Sequence, residues 1–228
     1  MRRILGVLLA SFICVGPVQA DEEDHSFFAI FAAPHPALIV KWQGVQRRIA
    51  DDEARLAACR ADTATCSDDE LSFAAIVAAG RSREGKARIG EINRAVNLAI
   101  RPVSDERRFG VADNWSSPLE TLSDGAGDCE DYAILKMLAL RHAGVASADL
   151  KLLIVYDRPT RSAHAVVAVR LDERWLVLDN RRFAMVPLEF TEYRLLATLD
   201  PETQHVNHAS LDAASFDAES VDATRDVM

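Results

Sequence analysis

Residues 127–134 read Gly-Asp-Cys-Glu-Asp-Tyr-Ala-Ile and combine a candidate nucleophile with the start of a helix. We predict a helix from Cys129 to His142, because apolar residues recur after the cysteine at helical spacing and Gly144 follows. The cysteine then lies in the first turn, where unpaired backbone N–H groups and the helix dipole stabilise a thiolate or an oxyanion. The stretch therefore favours a reactive thiol at Cys129.

Three carboxylates surround this cysteine: Asp128, Glu130 and Asp131. Nearby negative charge raises a thiol pKa, whereas a nucleophile needs a lowered one, so we expect a compensating positive charge. One interpretation is that Asp128 and Asp131 form a variant of the capping box and that no metal is involved. The other is a bound hard cation, for which Ca²⁺ is the natural candidate because it accepts several carboxylate and carbonyl oxygens.

A histidine and an aspartate follow in a predicted hairpin. Strands are expected at Ala163–Leu171 and Arg174–Leu178, joined by a two-residue turn. This register makes His164 and Asp179 diagonal neighbours on one face, within reach of a side-chain hydrogen bond. A three-residue turn would place them on opposite faces. The alternatives are an ordinary strand histidine and an Asp179-Asn180 turn signal.

The N-terminus predicts export. A basic start containing Arg2 and Arg3 precedes an apolar run over Ile4–Val15, and Val18-Gln19-Ala20 provides the small residues of a cleavage site. We therefore expect a signal peptide at residues 1–20 and a mature chain that starts at Asp21 and does not insert into a membrane. A retained anchor is the alternative, although the apolar run is short for a membrane span.

The cysteine count supports a free thiol. Of the four cysteines, Cys14 leaves with the signal peptide, and Cys59 and Cys66 are close enough in sequence to form a local disulfide in an oxidising compartment. Cys129 is then unpaired, which is unusual in an exported protein unless the thiol is reactive. A buried, inert cysteine is the alternative.

The remaining pattern predicts a helical first half and a strand-bearing second half. Helices are expected at Pro36–Arg60, Leu71–Ala79 and Lys86–Ile100, residues 101–127 are expected to be irregular, and a further strand is expected at Leu150–Tyr156. We predict one two-lobed domain over residues 21–200 and an acidic, disordered tail over 201–228. The formal net charge of −9 and the lack of a basic stripe argue against nucleic-acid binding.

Four segments together resemble a known family. Residues 115–122 (Trp-Ser-Ser-Pro-Leu-Glu-Thr-Leu) and 125–134, followed by 162–166 and 176–180, resemble the bacterial transglutaminase-like cysteine proteases, most closely those of the LapG type. The resemblance extends from about Glu91 to Leu188. It implies an α+β fold with a papain-like, transglutaminase-like core, in which an N-terminal helical lobe and an antiparallel sheet pack on the cysteine-bearing helix.

The resemblance also implies roles for individual residues. Cys129 would be the nucleophile, His164 the general base and acid, and Asp179 the carboxylate that orients the histidine. Asp128, Glu130 and Asp131 would contribute to a calcium site. Further oxygens would come from main-chain carbonyls near Asp113-Asn114-Trp115.

For function, the resemblance implies a calcium-dependent periplasmic endopeptidase that controls biofilm attachment. Its substrate would be a large surface adhesin, cut near its N-terminus between two alanines in a Thr-Ala-Ala-Gly-type site. Its regulator would be an inner-membrane receptor of the LapD type that reads cyclic di-GMP in the cytoplasm, so cyclic di-GMP would not bind this chain. Two alternatives remain open: a transglutaminase or amidase with the same triad, and a non-catalytic calcium-binding module.

Overall fold

The computed structural model describes residues 36–201 and 206–208. In chain order, its α-helices are α1 (Pro36–Ala61), α2 (Asp68–Arg81), α3 (Gly85–Ala99), α4 (Asp105–Phe109), α5 (Pro118–Asp124) and α6 (Cys129–His142). Its strands are β1 (Arg101–Pro102), β2 (Ala126–Gly127), β3 (Leu150–Asp157), β4 (Ser162–Leu171), β5 (Arg174–Leu178), β6 (Val186–Pro187), β7 (Tyr193–Leu199) and β8 (Val206–His208). The expected signal peptide lies outside the described residues.

The first three helices confirm the prediction for the N-terminal half. In α1, the apolar residues at helical spacing are buried, with Trp42 and Val45 fully inaccessible to solvent. Helix α2 begins with a capping box between Ser67 and Glu70, as serine before an acidic first turn predicts. In α3, Ile92 and Val96 are buried in the same cluster of apolar side chains. These helices therefore form one lobe by burying their apolar stripes against each other.

Residues 101–127, predicted to be irregular, instead contain α4, α5 and a short parallel pair of β1 with β2. Apolar periodicity does not reveal helices as short as α4 and α5, because local capping stabilises them rather than a long buried stripe. Ser117 and Glu120 form a capping box at the start of α5, and Pro118 occupies its first turn. Residues 117–120 (Ser-Pro-Leu-Glu) carry this capping signal in the sequence.

Helix α6 begins and ends where the sequence predicts, and it lies at the centre of the molecule. All its residues from Glu130 to Leu140 are buried. The helix packs against α3 and α5 on one side and against β3 and β4 on the other. A helix enclosed on all sides is held rigidly, so its first turn presents Cys129 from a fixed position.

The main sheet has six strands in the order β6-β5-β4-β3-β7-β8, and all neighbours are antiparallel. The predicted hairpin register is confirmed, since Val167 pairs with Leu178. Both turn residues have positive φ, 49° at Asp172 and 62° at Glu173, as a two-residue hairpin turn requires. The turn length therefore places His164 and Asp179 on one face.

Strands β6, β7 and β8 were missed. In β7 the adjacent Leu195 and Leu196 break the period-two alternation, because the strand contains an irregularity opposite Ile154 and Val155. Strand β8 pairs with β7, so Val206–His208 form an edge strand where the sequence predicted tail. The disordered-tail prediction for the other residues after 201 concerns positions outside the described ones.

The structure confirms the predicted α+β class, with a helical lobe and an antiparallel sheet packed around α6. Cys59 and Cys66 form a disulfide, and Cys129 is the free cysteine within the described residues. In the same part of the chain, no helix has the length and apolar character needed to cross a membrane.

Candidate active site

Cys129 is the first residue of α6, and its side chain is half-buried. Its thiol donates a hydrogen bond to Glu130 Oε2, with a sulfur–oxygen distance of 3.2 Å. Burial raises the pKa of the thiol well above its ordinary value, and the charges of Glu130 and Asp128 raise it further. The backbone N–H of Ala165 acts in the opposite direction. The thiol thus lies beside the strand that carries His164, in surroundings that oppose its ionisation.

His164 and Asp179 form a buried hydrogen-bonded pair. His164 Nε2 lies 3.0 Å from Asp179 Oδ1, and both side chains are fully buried. Burial alone would raise the pKa of Asp179, but hydrogen bonds from His164, the Arg181 backbone N–H and Tyr193 hold it well below its usual range. Asp179 therefore remains ionised and fixes the orientation of the imidazole ring.

The geometry leaves one ring nitrogen of His164 available. Nδ1 is buried and has no hydrogen-bond partner among the described residues. The Cys129 thiol is directed at Glu130 in this arrangement. The residue of β4 that contacts the thiol is Ala165, which follows His164. The structure therefore brings His164 and Asp179 into direct contact and places Cys129 beside Ala165, the residue that follows His164 on β4.

Five carboxylates converge where α4 and the segment after it meet the start of α6. Oxygens of Asp105, Asp113 and Glu130 lie within 4.8 Å of one another, as do oxygens of Asp105, Asp128 and Asp131. Burial raises the pKa of Asp105 to about 6 and that of Asp131 to about 7. Burial also raises the pKa values of Asp128 and Glu130, and the charge of Asp128 adds to the effect at Glu130.

This cluster has the chemistry of a hard-cation site. Its donors are carboxylate oxygens, which calcium prefers. Asp105 Oδ1 and Asp128 Oδ1 are buried without a hydrogen-bond partner within the described residues, and leaving such atoms unsatisfied is costly. The predicted calcium residues Asp128, Glu130 and Asp131 thus lie together, and the residues present fit the ion.

The capping interpretation of these carboxylates is wrong. Asp128 occupies the N-cap position of α6, but its side chain makes no capping hydrogen bond. Its Oδ2 accepts instead from the backbone N–H of Asp105 at 3.4 Å, and Asp131 Oδ1 accepts from the backbone N–H of Ser116 at 2.8 Å. The carboxylates bind neighbouring segments to the start of α6 rather than capping it.

One fixed cation already lies in this cluster. Arg108 of α4 pairs with Asp131, and also with Asp124 at 2.8 Å and Asp105 at 3.7 Å. Its side chain is only 7% exposed. Solvent therefore screens its attraction to these carboxylates less than it would screen an ion pair on the surface. Arg108 offsets part of the negative charge that the sequence predicted would need compensation.

Gly127 is required by the close approach of Asp131 to the chain. A Cβ atom at position 127 would lie 2.7 Å from Asp131 Cβ and 2.8 Å from Asp131 Oδ2. Any larger residue would displace the carboxylate that binds Ser116 and Arg108. The glycine before the cysteine is therefore part of the architecture of the site.

Sequence reasoning missed several residues of the site. Asp105 and Arg108 lie on α4, which was read as irregular chain, so nothing directed attention to their carboxylate and guanidinium groups. Asp113 was considered only for its main chain, yet its side chain joins the cluster and also accepts from Lys41 of α1. Tyr193 lies on the missed strand β7 and donates to Asp179 Oδ2 at 2.7 Å.

Comparisons with known proteins identify a family for this chain and a similar fold among solved structures. The profile of a family described as bacterial transglutaminase-like cysteine proteinase (BTLCP) matches residues 54–213. Among solved structures, Legionella pneumophila LapG is similar with a TM-score of 0.56 and 21% identity, over 74% of this chain and 93% of that chain. A calcium-bound Legionella pneumophila LapG gives 0.53 and 22% over 68% and 91%, respectively. A search of curated proteins gave no match. At this identity the structural similarity shows the fold.

A buried lysine lies behind the site on α6. Lys136 is two helical turns after Cys129, is fully inaccessible to solvent, and its Nζ has no hydrogen-bond partner among the described residues. The Nζ atom lies 5.7 Å from the centre of the Tyr132 ring. Burial lowers the pKa of Lys136 to about 7, although the charge of Asp179 acts in the opposite direction.

Lys136→Met is expected to leave the free energy of unfolding at pH 7 equal to or above that of wild type. The folded protein binds the Lys136 proton more weakly than the unfolded chain does. The buried lysine therefore lowers the free energy of unfolding by its full amount below about pH 7. This penalty to the stability of the wild type fades as the pH rises towards the ordinary lysine pKa. The stability gained by Lys136→Met should therefore shrink in alkaline solution. Urea unfolding at several pH values measures this difference, with Lys86→Met at an exposed position of α3 as the control. A loss of stability at pH 7 would contradict the account.

Proposed function

The chain belongs to the bacterial transglutaminase-like cysteine proteinases, and we propose that it is a calcium-dependent endopeptidase with Cys129, His164 and Asp179 as its catalytic residues. The observation that carries this proposal is the buried His164–Asp179 pair. His164 Nδ1 has no hydrogen-bond partner among the described residues, and the next residue on β4, Ala165, lies beside the Cys129 thiol. A nucleophile, a base and a group that orients the base are the components of covalent acyl transfer.

In the proposed reaction, Cys129 Sγ attacks the scissile carbonyl carbon while its proton passes to His164 Nδ1. The thiol must first leave Glu130 Oε2, its partner in this structure. Backbone N–H groups in the first turn of α6 are placed to stabilise the oxyanion. Collapse of the intermediate breaks the C–N bond, the amine leaves with the proton from His164, and a thioester remains. Water then gives a proton to His164, attacks the thioester, releases the acid and restores the thiol.

Calcium would be held by carboxylates drawn from Asp105, Asp113, Asp128, Glu130 and Asp131. Bound there, it would supply positive charge that offsets the carboxylates around the thiol. The chain's own residues support this role: Asp105 and Asp128 carry unsatisfied buried oxygens. Arg108, which pairs with Asp105 and Asp131, and Lys41, which pairs with Asp113, offset only part of the charge of the five carboxylates. The calcium-bound LapG structure, which shares the fold, is consistent with the proposal.

We further propose that the protein acts in the periplasm on a large surface adhesin. The motif resemblance supports an Ala-Ala cleavage site near the adhesin's N-terminus, a role in biofilm attachment, and sequestration by a LapD-type inner-membrane receptor that reads cyclic di-GMP.

Export is tested directly by N-terminal sequencing of the protein from the periplasmic fraction, which should begin at Asp21. A chain that retains residues 1–20 would contradict the predicted signal peptide.

Cys129→Ala is expected to abolish cleavage of an adhesin fragment that contains a Thr-Ala-Ala-Gly site. The substitution removes the nucleophile but only one sulfur atom from the helix start, so the stability cost should be about 1 kcal/mol. Cleavage is followed by gel electrophoresis and mass spectrometry of the products. Ser162→Ala, two residues before His164 on β4, is the matched control and should retain activity.

Three outcomes of this assay would overturn the assignment. Cleavage by Cys129→Ala at more than a few per cent of the wild-type rate would exclude Cys129 as the nucleophile. Incorporation of a labelled amine into a glutamine peptide, without hydrolysis of the adhesin fragment, would make the protein a transglutaminase. If the wild type shows neither activity, the non-catalytic calcium-binding alternative is favoured.

Calcium is expected to raise the melting temperature of the chelator-treated protein. Calcium at about 100 times Kd adds about 2.7 kcal/mol of stability by mass action, which corresponds to roughly 5–10 °C for a protein of this size. Magnesium should have a much smaller effect, because its octahedral shell is harder to form from such a cluster. Differential scanning calorimetry measures both shifts.

Matched variants locate the ion. Asp105→Asn and Asp128→Asn should each reduce the calcium-dependent shift, because each removes charge from the cluster. Asp149→Asn should retain it, since Asp149 pairs with Arg170 away from the cluster. An equal shift in all three variants would place the ion elsewhere, and no shift in the wild type would contradict calcium binding.

A further inference from the structure

Strand β7 contains a bulge that changes which face of the sheet its side chains occupy. Ile154 of β3 pairs with Ala197, but the next residue, Val155, pairs with Leu195, so Leu196 is the extra residue. Directly opposed residues in antiparallel strands share a face, and Ile154 and Val155 point to opposite faces. The bulge therefore turns the residues of β7 that precede Leu196 onto the other face of the sheet.

The packing agrees with this change of face. Ala197 belongs to the main apolar cluster together with Ile154. Leu195 and Tyr193 pack instead against the smaller cluster that contains Val155. Without the extra residue, Tyr193 would point to the same face as Ala197 and away from Val155.

The face that Tyr193 reaches is the face of the histidine. His164 is paired with Val155 across β3 and β4, and Tyr193 is paired with Asp157 two residues further along β3. The Tyr193 ring lies edge-on to the His164 ring, with their centres 6.1 Å apart and an interplanar angle of 67°. Its hydroxyl donates to Asp179 Oδ2 at 2.7 Å. The bulge thus brings Tyr193 into contact with both members of the pair.

The donors to Asp179 divide between its two oxygens. Oδ1 accepts from His164 Nε2 at 3.0 Å and from the Arg181 backbone N–H at 2.9 Å. Oδ2 accepts from the Tyr193 hydroxyl, while Arg182 Nε lies 3.3 Å away from it on a side chain that is 45% exposed. Burial and the hydrogen bond and charge of Asp179 raise the pKa of Tyr193 well above its ordinary value, so its hydroxyl remains a hydrogen-bond donor at neutral pH.

We propose that Tyr193 is a positioning residue for the peptidase reaction, acting through Asp179. Its hydroxyl holds Oδ2 and so prevents the carboxylate from rotating away from His164, while its ring packs edge-on against the imidazole ring. The inference rests on the proposed function, because it assigns Tyr193 to the same triad. Other charged or titratable groups near the pair are Arg181 and Arg182 after β5, Asp157 on β3, Lys136 on α6 and the Cys129 thiol.

The test is Tyr193→Phe, which removes the hydroxyl and retains the ring. We expect kcat for the adhesin fragment to fall roughly tenfold with KM little changed, because a hydrogen bond to a charged group is lost away from the substrate. With one donor fewer, Asp179 holds the imidazolium proton more tightly. Because His164 must be neutral to accept the thiol proton, the acidic limb of the kcat/KM profile should therefore move to higher pH. Tyr156→Phe on the adjacent strand β3 is the control and should leave kcat and the pH profile of kcat/KM unchanged.

A double-mutant cycle separates a role through Asp179 from a general effect on structure. If Tyr193 acts through Asp179, Tyr193→Phe should add little to the loss caused by Asp179→Asn. Multiplicative losses would overturn the proposal, as would an unchanged kcat and pH profile in folded Tyr193→Phe. If wild type fails to cleave the fragment, the proposed function itself is overturned. If wild type cleaves it and Tyr193→Phe equals wild type, only the inference about Tyr193 fails.

Discussion

The constraint on which the site depends is the concentration of negative charge around a half-buried thiol. Asp128, Glu130 and Asp131 lie in or before the first turn of α6, and Asp105 and Asp113 join them from the preceding segment. Burial disfavours the ionised forms of Asp105, Asp128, Glu130 and Asp131, and repulsion between carboxylates adds to the effect at Glu130 and Asp131. The same charges oppose formation of the Cys129 thiolate. We therefore propose that a bound cation both holds the segment together and activates the Cys129 thiol.

The surrounding structure is arranged around this constraint. Gly127 lets the Asp131 carboxylate approach the chain, where it receives the Ser116 backbone N–H and the Arg108 guanidinium. Helix α6 is enclosed by the helical lobe and the sheet, so the first turn cannot move independently of either. Across the sheet, Asp179 stays ionised because its hydrogen bonds outweigh its burial. The site therefore combines a thiol whose ionisation is opposed by nearby charge with a buried, hydrogen-bonded histidine–aspartate pair. In the proposed function, a bound cation offsets the charge that opposes ionisation of the thiol.

The parts of the site that follow from local rules could be predicted from the sequence. The two-residue turn at Asp172-Glu173 determines the register that brings His164 to Asp179, and the helix start at Cys129 follows from the residues after it. Long-range features could not be predicted. The bulge at Leu196 disrupts the alternation that identifies a strand, which concealed β7 and Tyr193. Asp105 and Arg108 enter the site through a helix of one turn and a half, whose residues show no apolar periodicity.

The rate at which iodoacetamide alkylates Cys129 at neutral pH tests the central claim most directly, because it reports thiolate at this residue without a substrate. Mass spectrometry of the tryptic peptide follows the reaction in saturating calcium, in chelator and in an unfolded reference. Cation compensation predicts alkylation at least tenfold faster with calcium than with chelator, and faster with calcium than in the unfolded chain. Equal rates with calcium and chelator, or a calcium-loaded thiol slower than the unfolded reference, would contradict the account.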